Sequence, residues 1–197
     1  MNSPAPQDDA PEQFRVALSG MRSVNVRPEL LIEEAPAPQR LAPHSVALTA
    51  DVVIDDNEIG TGRFVLLHDP DGHSSWNGTF RIVTFIRADV EPEMAADPMA
   101  HEVGWSWLVE GLENHSCDYS MLGGTVTQVR SFSFGELEER EPEANLEVRA
   151  SWTPNGLTAP TTMGGHLSAW LDLLATAAGL ESLPPGVASI PSQPRRT

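Results

Sequence analysis

The stretch Gly62-Arg-Phe-Val-Leu-Leu-His-Asp-Pro-Asp-Gly-His-Ser-Ser-Trp-Asn-Gly-Thr-Phe-Arg-Ile-Val-Thr-Phe-Ile-Arg87 decides the fold class. Two runs rich in β-branched and aromatic residues flank a loop of turn formers, which is the pattern of a β-hairpin. Its first run predicts a strand near Gly60 to His68. Its second predicts a strand from Thr79 to Arg87, with Phe80, Ile82 and Ile86 on one face and Val83 and Phe85 on the other. Apolar residues on both faces mark that strand as central and covered on both sides.

Working toward the N-terminus, Val46, Leu48, Ala50, Val52 and Ile54 alternate with Ala47, Thr49 and Asp51, the period of a half-buried strand. Asp55-Asp-Asn-Glu58 is an acidic turn leading into the hairpin. The Pro-rich segment 35–43 reads as a stiff, extended connection, preceded by a brief strand at Leu30 to Glu34. Further back, Phe14, Ala17, Leu18 and Met21 share a helical face, and Asp9 with Glu12 is spaced as a helix cap and its partner.

On the C-terminal side, an acidic connection leads to a helix at His101 to Leu112, with Val103, Trp107, Leu108 and Leu112 on its apolar face. Gly104 and Gly111 weaken this helix by about 1 kcal/mol each relative to Ala. A strand follows from Gly123-Gly124 to Phe134, then an acidic loop from Gly135 to Glu143. Alternation resumes from Ala144 to Trp152. The clearest helix is His166 to Leu180, with Leu167, Trp170, Leu171 and Leu174 on one stripe and Gly179 at the C-terminal cap.

The predicted order is α-β-β-β-α-β-β-α, with an extra short strand near Leu30. It implies an α+β fold in one domain, an antiparallel sheet of five or six strands with helices packed on it. Type III secretion chaperones share this order, an analogy of architecture alone. The domain is expected over residues 10–188, between disordered tails at 1–9 and 189–197 that offer little to bury.

Composition narrows the classes of function. The 197 residues carry a formal charge of −16, which repels phosphate backbones and anionic lipid surfaces, so neither nucleic acid nor membrane is an expected partner. All 12 basic residues are arginine, which excludes chemistry that needs a lysine, such as a Schiff base or a phosphate-loop Lys. A lone Cys117 allows no internal disulfide and fits a reducing compartment. With no secretory signal and no long apolar run, the expected location is the cytoplasm.

Several segments carry a family resemblance: Glu33-Glu-Ala-Pro-Ala-Pro-Gln-Arg-Leu-Ala-Pro43, Leu66-Leu-His-Asp-Pro-Asp-Gly72 with Trp76-Asn-Gly-Thr-Phe-Arg81, and Val103-Gly-Trp-Ser-Trp-Leu108. Ala150-Ser-Trp-Thr-Pro154 and Pro184-Pro-Gly-Val187 add to it. The chain resembles the bacterial domain-of-unknown-function family numbered 3000. That resemblance implies a single domain and brings no assigned activity and no defined catalytic residues.

The densest set of reactive groups is His68-Asp69-Pro70-Asp71-Gly72-His73. Imidazoles and carboxylates suit a transition metal, while Asp-Pro-Asp-Gly is equally the chemistry of a turn between strands. His101, His115 and His166 are scattered, and the carboxylate pairs Glu33-Glu34, Asp55-Asp56 and Glu138-Glu139 fit solvated turns better than a glycosidase pair. Trp105 and Trp107, two apart on a helix, cannot face the same partner: a helix buried over a wide arc accounts for them first, and the alternative makes them candidate partner-binding residues.

Two readings follow. The first is a non-enzymatic cytoplasmic binding or adaptor protein with no cofactor and no catalytic residues. Trp105 would be its anchor, its partner an unidentified basic protein, and a homodimer one arrangement it allows. The second is a metal- or acid/base-dependent hydrolase built on His68, Asp69, Asp71 and His73.

Overall fold

The structure is a computed structural model and describes residues 10–156 and 160–181. The expected tails and the Pro184–Val187 segment lie outside these residues. The elements are α1 (Glu12–Arg22), β1 (Leu30–Ala35), β2 (His44–Ile54), β3 (Asn57–His73), β4 (Gly78–Asp89), α2 (Pro92–Ala96), α3 (Ala100–Asn114), β5 (Tyr119–Ser131), β6 (Glu143–Pro154) and α4 (Pro160–Ala177). The strands form one six-stranded sheet in the order β1-β2-β3-β4-β6-β5, every neighbouring pair antiparallel. This is the expected α+β domain, the short strand at Leu30 included. The chain leaves β4 through α2 and α3, lays down β5 as an edge, and returns with β6 between β5 and β4.

Alternation sorts the sheet residues onto two faces. Val46, Leu66, Ile82 and Trp152 stand in register across four strands and are buried beneath the helices. Helix α4 crosses this face with Leu167, Trp170, Leu171 and Leu174 all buried, the predicted stripe. Trp170 fits because β3 has no side chain beneath it: a Cβ on Gly62 would lie 2.7 Å from the indole. The ring also packs at 5.6 Å on Phe64. The expected C-terminal cap is present, Gly179 having φ +78° and Leu180 N–H bonding back to the Ala175 carbonyl.

Four expectations are corrected. The α1 N-cap is Pro11, with no side-chain cap, and Asp9 lies outside the described residues. Asp69-Pro-Asp-Gly72 is not the hairpin turn. β3 runs on to His73, which pairs with Gly78, and the reversal is made by Ser74 to Asn77, with Asn77 at φ 54°. Asp69–Gly72 instead interrupts the β3–β4 ladder, where the Asp69 carboxylate accepts the Asp71 N–H. In α3 the buried face is Ala100, Gly104, Leu108, Gly111 and Leu112, while Val103 is exposed. Gly104 and Gly111 therefore bring the helix close: a Cβ would lie 3.0 Å from Leu146 at the first and 3.1 Å from the Ala169 carbonyl at the second. Finally, β4 is central but covered on one face only, since Val83 remains 39% exposed.

Candidate functional site: the open face of the sheet

The second face of the sheet is covered over half its width. Ala37 and Ala42 of the Pro-rich connection and Trp76 of the β3–β4 turn pack on Ala47, Val65 and Leu67. The connection is tied down by Arg63, which donates from Nη2 to the Pro36 carbonyl at 2.6 Å, and by Ser45 Oγ to the Pro38 carbonyl at 3.0 Å. From β4 outward, among the described residues, no helix lies over this face.

Two adjacent rows build the uncovered half. One runs Arg63, Phe85, Arg149, Thr125 and the other Val65, Val83, Ser151, Gly123, in register across β3, β4, β6 and β5. Together they line a broad, shallow groove of about 710 Å³ that is largely open to solvent. Its floor is apolar, and its charged walls are Arg63 and Arg149, with no carboxylate among the lining residues. In a chain with 28 acidic and 12 basic residues, that is a local reversal of sign. The Arg149 guanidinium lies 4.9 Å from the centre of the Phe85 ring and pairs with Glu147 at 2.6 Å, while its side chain stays 54% exposed. Glu147 and the ring fix the fork and leave N–H donors for a ligand.

Arg81 shapes the rim. It donates to the Met121 carbonyl at 3.0 Å and to Ser151 Oγ at 2.6 Å. This anchors the irregularity in β5 between Ser120 and Gly123, where Met121 takes φ 54°. Gly124 faces the other way, with Trp105 against it: a Cβ there would stand 2.8 Å from the indole. The glycine doublet thus gives a smooth wall on one face and a socket on the other.

The residues singled out in the sequence are dispersed. His68 is buried, stacked at 4.1 Å on Phe80, and donates from Nδ1 to the Thr79 carbonyl at 3.0 Å. Burial lowers its pKa below the ordinary value, and nearby His44 acts in the same direction. His73 is exposed, stacks on Trp76 at 4.8 Å and contacts Ser75 Oγ at 2.7 Å. Asp69 and Asp71 are occupied with their own local turn. Among the described residues, no three His, Cys, Asp or Glu side chains are grouped as metal ligands would be. Trp105 and Trp107 are both half-buried against the main core.

At the far end of α3, His115 contacts Asp172 at 2.7 Å, and Cys117 lies two residues on. Burial pushes the Cys117 thiol up to about 12, so it is not a nucleophilic thiolate at neutral pH. His166 is fully buried, accepts at Nδ1 from the Trp152 indole N–H at 3.1 Å, and is pushed down to about 4 by burial. It is a neutral core residue.

Arg63 and Arg149 were missed in the sequence because each strand was read for its apolar side, and Val83 and Phe85 were read as a covered second face of β4. Their signal was present: Val83 and Phe85 stand between Arg81 and Arg87 on the polar parity of β4, where an apolar pair has no reason to be unless something covers it.

A family model described as a protein of unknown function, DUF3000, matches residues 10–188. The chain belongs to that family. The DUF3000 match takes in every strand and helix above and assigns no activity. No curated protein and no solved structure matches the chain. Among the described residues, no helix of this DUF3000 domain is long and apolar enough to cross a membrane.

Proposed function

We propose that this protein is a non-enzymatic, cytoplasmic protein-binding module. Its ligand face is the open half of the sheet, and the segment it takes carries carboxylates beside aromatic or aliphatic side chains. The observation that carries this reading is the groove: an apolar floor of Val65, Val83 and Phe85 between Arg63 and Arg149, without a lining carboxylate, in a chain of net charge −16. Arginine and aromatic residues together are the side chains that dominate binding energy at protein interfaces, and a guanidinium fork suits a carboxylate. The net charge favours a basic partner at long range, but at contact the charged side chains lining the groove are Arg63 and Arg149, the latter shared with Glu147. Trp105 lends support from behind by holding β5 through Gly124. The hydrolase alternative has less behind it, because the His68 and His73 rings have separate partners and Cys117 is held as a thiol.

The test is a fluorescence-anisotropy titration of the full chain with a labelled peptide alternating Phe and Glu, beside one alternating Phe and Arg. The Phe/Glu peptide should bind saturably, and Arg149→Glu should weaken it by about tenfold, equivalent to roughly 1.4 kcal/mol. Equal binding of the two peptides, or no binding of either, would overturn the reading.

A further inference from the structure

The groove has a counterpart on the same chain. Between β5 and β6 lies Phe132-Ser-Phe-Gly-Glu-Leu-Glu-Glu-Arg-Glu-Pro-Glu143. Phe134 is 81% exposed and Leu137 47%, two exposed apolar side chains brought together on one short turn. The segment is ordered: a 3₁₀ turn spans Gly135–Leu137, and Leu137, Glu138 and Arg140 N–H groups bond back to the carbonyls of Phe134, Gly135 and Leu137. Phe132 is held beneath the Arg130 guanidinium at 5.1 Å. Phe134 and Leu137 therefore project from a fixed frame, and the charges around them are almost all carboxylates, with Arg140 the exception.

We infer that the occupant of the groove is this loop from a second copy of the chain. Phe134 and Leu137 of one copy lie on Val83 and Phe85 of the other, and the flanking Glu136 and Glu138 meet Arg63 and Arg149. This deepens the proposed function, on which it rests, by naming the segment that the face takes. The two features complement each other in both sign and polarity. An acidic apolar loop meets a basic apolar groove in a chain whose remaining surface is acidic and would otherwise repel its copy.

The placement allows closure. On β6 the groove residue Arg149 and the loop base Glu143 are roughly 20 Å apart at about 3.3 Å per residue. A two-fold axis lying above the open face, parallel to the sheet, perpendicular to β6 and level with Leu146, brings each loop over the other copy's groove at once. Both contacts then form in one isologous, closed dimer.

Sedimentation equilibrium on the full chain, from low to high micromolar, should show a reversible dimer that weakens as salt is raised. Phe134→Ser/Leu137→Ser, a loop variant, and Arg63→Glu/Arg149→Glu, a groove variant, should each be monomeric and keep the folded circular dichroism spectrum and a cooperative melt. If the groove variant melts early, Val83→Glu replaces it. Mixing the loop and groove variants should restore a heterodimer, because one intact loop then faces one intact groove. A monomeric wild type, a dimer that survives both variants, or a mixture that stays monomeric would each overturn the inference. A monomeric wild type that still binds the Phe/Glu peptide would refute the dimer and leave the binding reading standing. Failure of both would remove the two together.

Discussion

The two faces of β4 share a backbone and differ in everything else. Ile82, Thr84, Ile86 and Ala88 are buried under α3 and α4, and even the Thr84 hydroxyl is turned inward to the Ala150 carbonyl at 3.2 Å. One residue out of phase, Arg81, Val83, Phe85 and Arg87 look onto an uncovered surface. The first face is a packing problem solved by helices. The second keeps apolar area and positive charge together where, among the described residues, no element covers them. Core faces are explained by what they bury, whereas this one needs a partner to explain it.

The comparison breaks most visibly if the covered face is misassigned. Leu171 is 4% exposed on the α4 stripe, and its neighbour Asp172 points outward to His115. Leu171→Asp should unfold the protein, since an unpaired carboxylate would replace a core side chain. Asp172→Asn removes only a surface pair and should cost no more than about 1 kcal/mol. Thermal melts followed by circular dichroism decide it. Equal losses for the two variants would mean that α4 packs through a different face.

That stripe was legible in the sequence because helical spacing repeats four times between Leu167 and Leu174 without interruption. The strands were legible for the same reason, at period two. What periodicity does not encode is which of two sheet faces receives the helices. Val83 and Phe85 were therefore assigned cover that the described residues do not provide. Nor does a propensity argument distinguish a glycine that weakens a helix from one that docks it. Gly104 and Gly111 read as defects until Leu146 and Ala169 are seen beside them. Asp69-Pro-Asp-Gly72 failed differently: correct turn chemistry was present, but Ser74 to Asn77 closes the hairpin.

A second contrast is in protonation. The covered face buries His68 and His166, both held neutral, whereas the charged groups lining the open groove are arginines, which do not titrate near neutral pH. In the unfolded chain each histidine takes up a proton below its ordinary value of 6.5, while folded His166 waits until about 4. Between those values the unfolded state binds more protons, so stability falls as pH falls. It is complete above 6.5 and lost progressively through the window, with His68 acting in the same direction. For His166 alone the loss is about 2 kcal/mol on going from about pH 7.5 to about pH 5. Urea midpoints at the two pH values, for the wild type and His166→Gln, isolate this share from that of the carboxylates. A variant with the wild-type pH dependence would show that His166 is not the buried neutral group described.

The finest test uses two glycines, one on each face. A methyl at Gly62 would meet the Trp170 ring at 2.7 Å and the Phe85 carbonyl at 3.2 Å. The indole is itself fixed on Phe64, so it cannot withdraw without opening the core. Gly62→Ala should cost about 1–3 kcal/mol, the range for an overpacked interior. At Gly123 an added Cβ meets nothing within 4 Å, and its φ is not in the positive range that resists an L side chain. Gly123→Ala should therefore be neutral or stabilise by about 0.4–1 kcal/mol, because the alanine has less freedom to lose from the unfolded chain. The same methyl stands on the wall of the groove, so any loss it causes should appear in peptide binding or dimer dissociation and not in the melt. Were Gly123→Ala to cost as much as Gly62→Ala, some part of this chain would have to lie on the face taken here to be open.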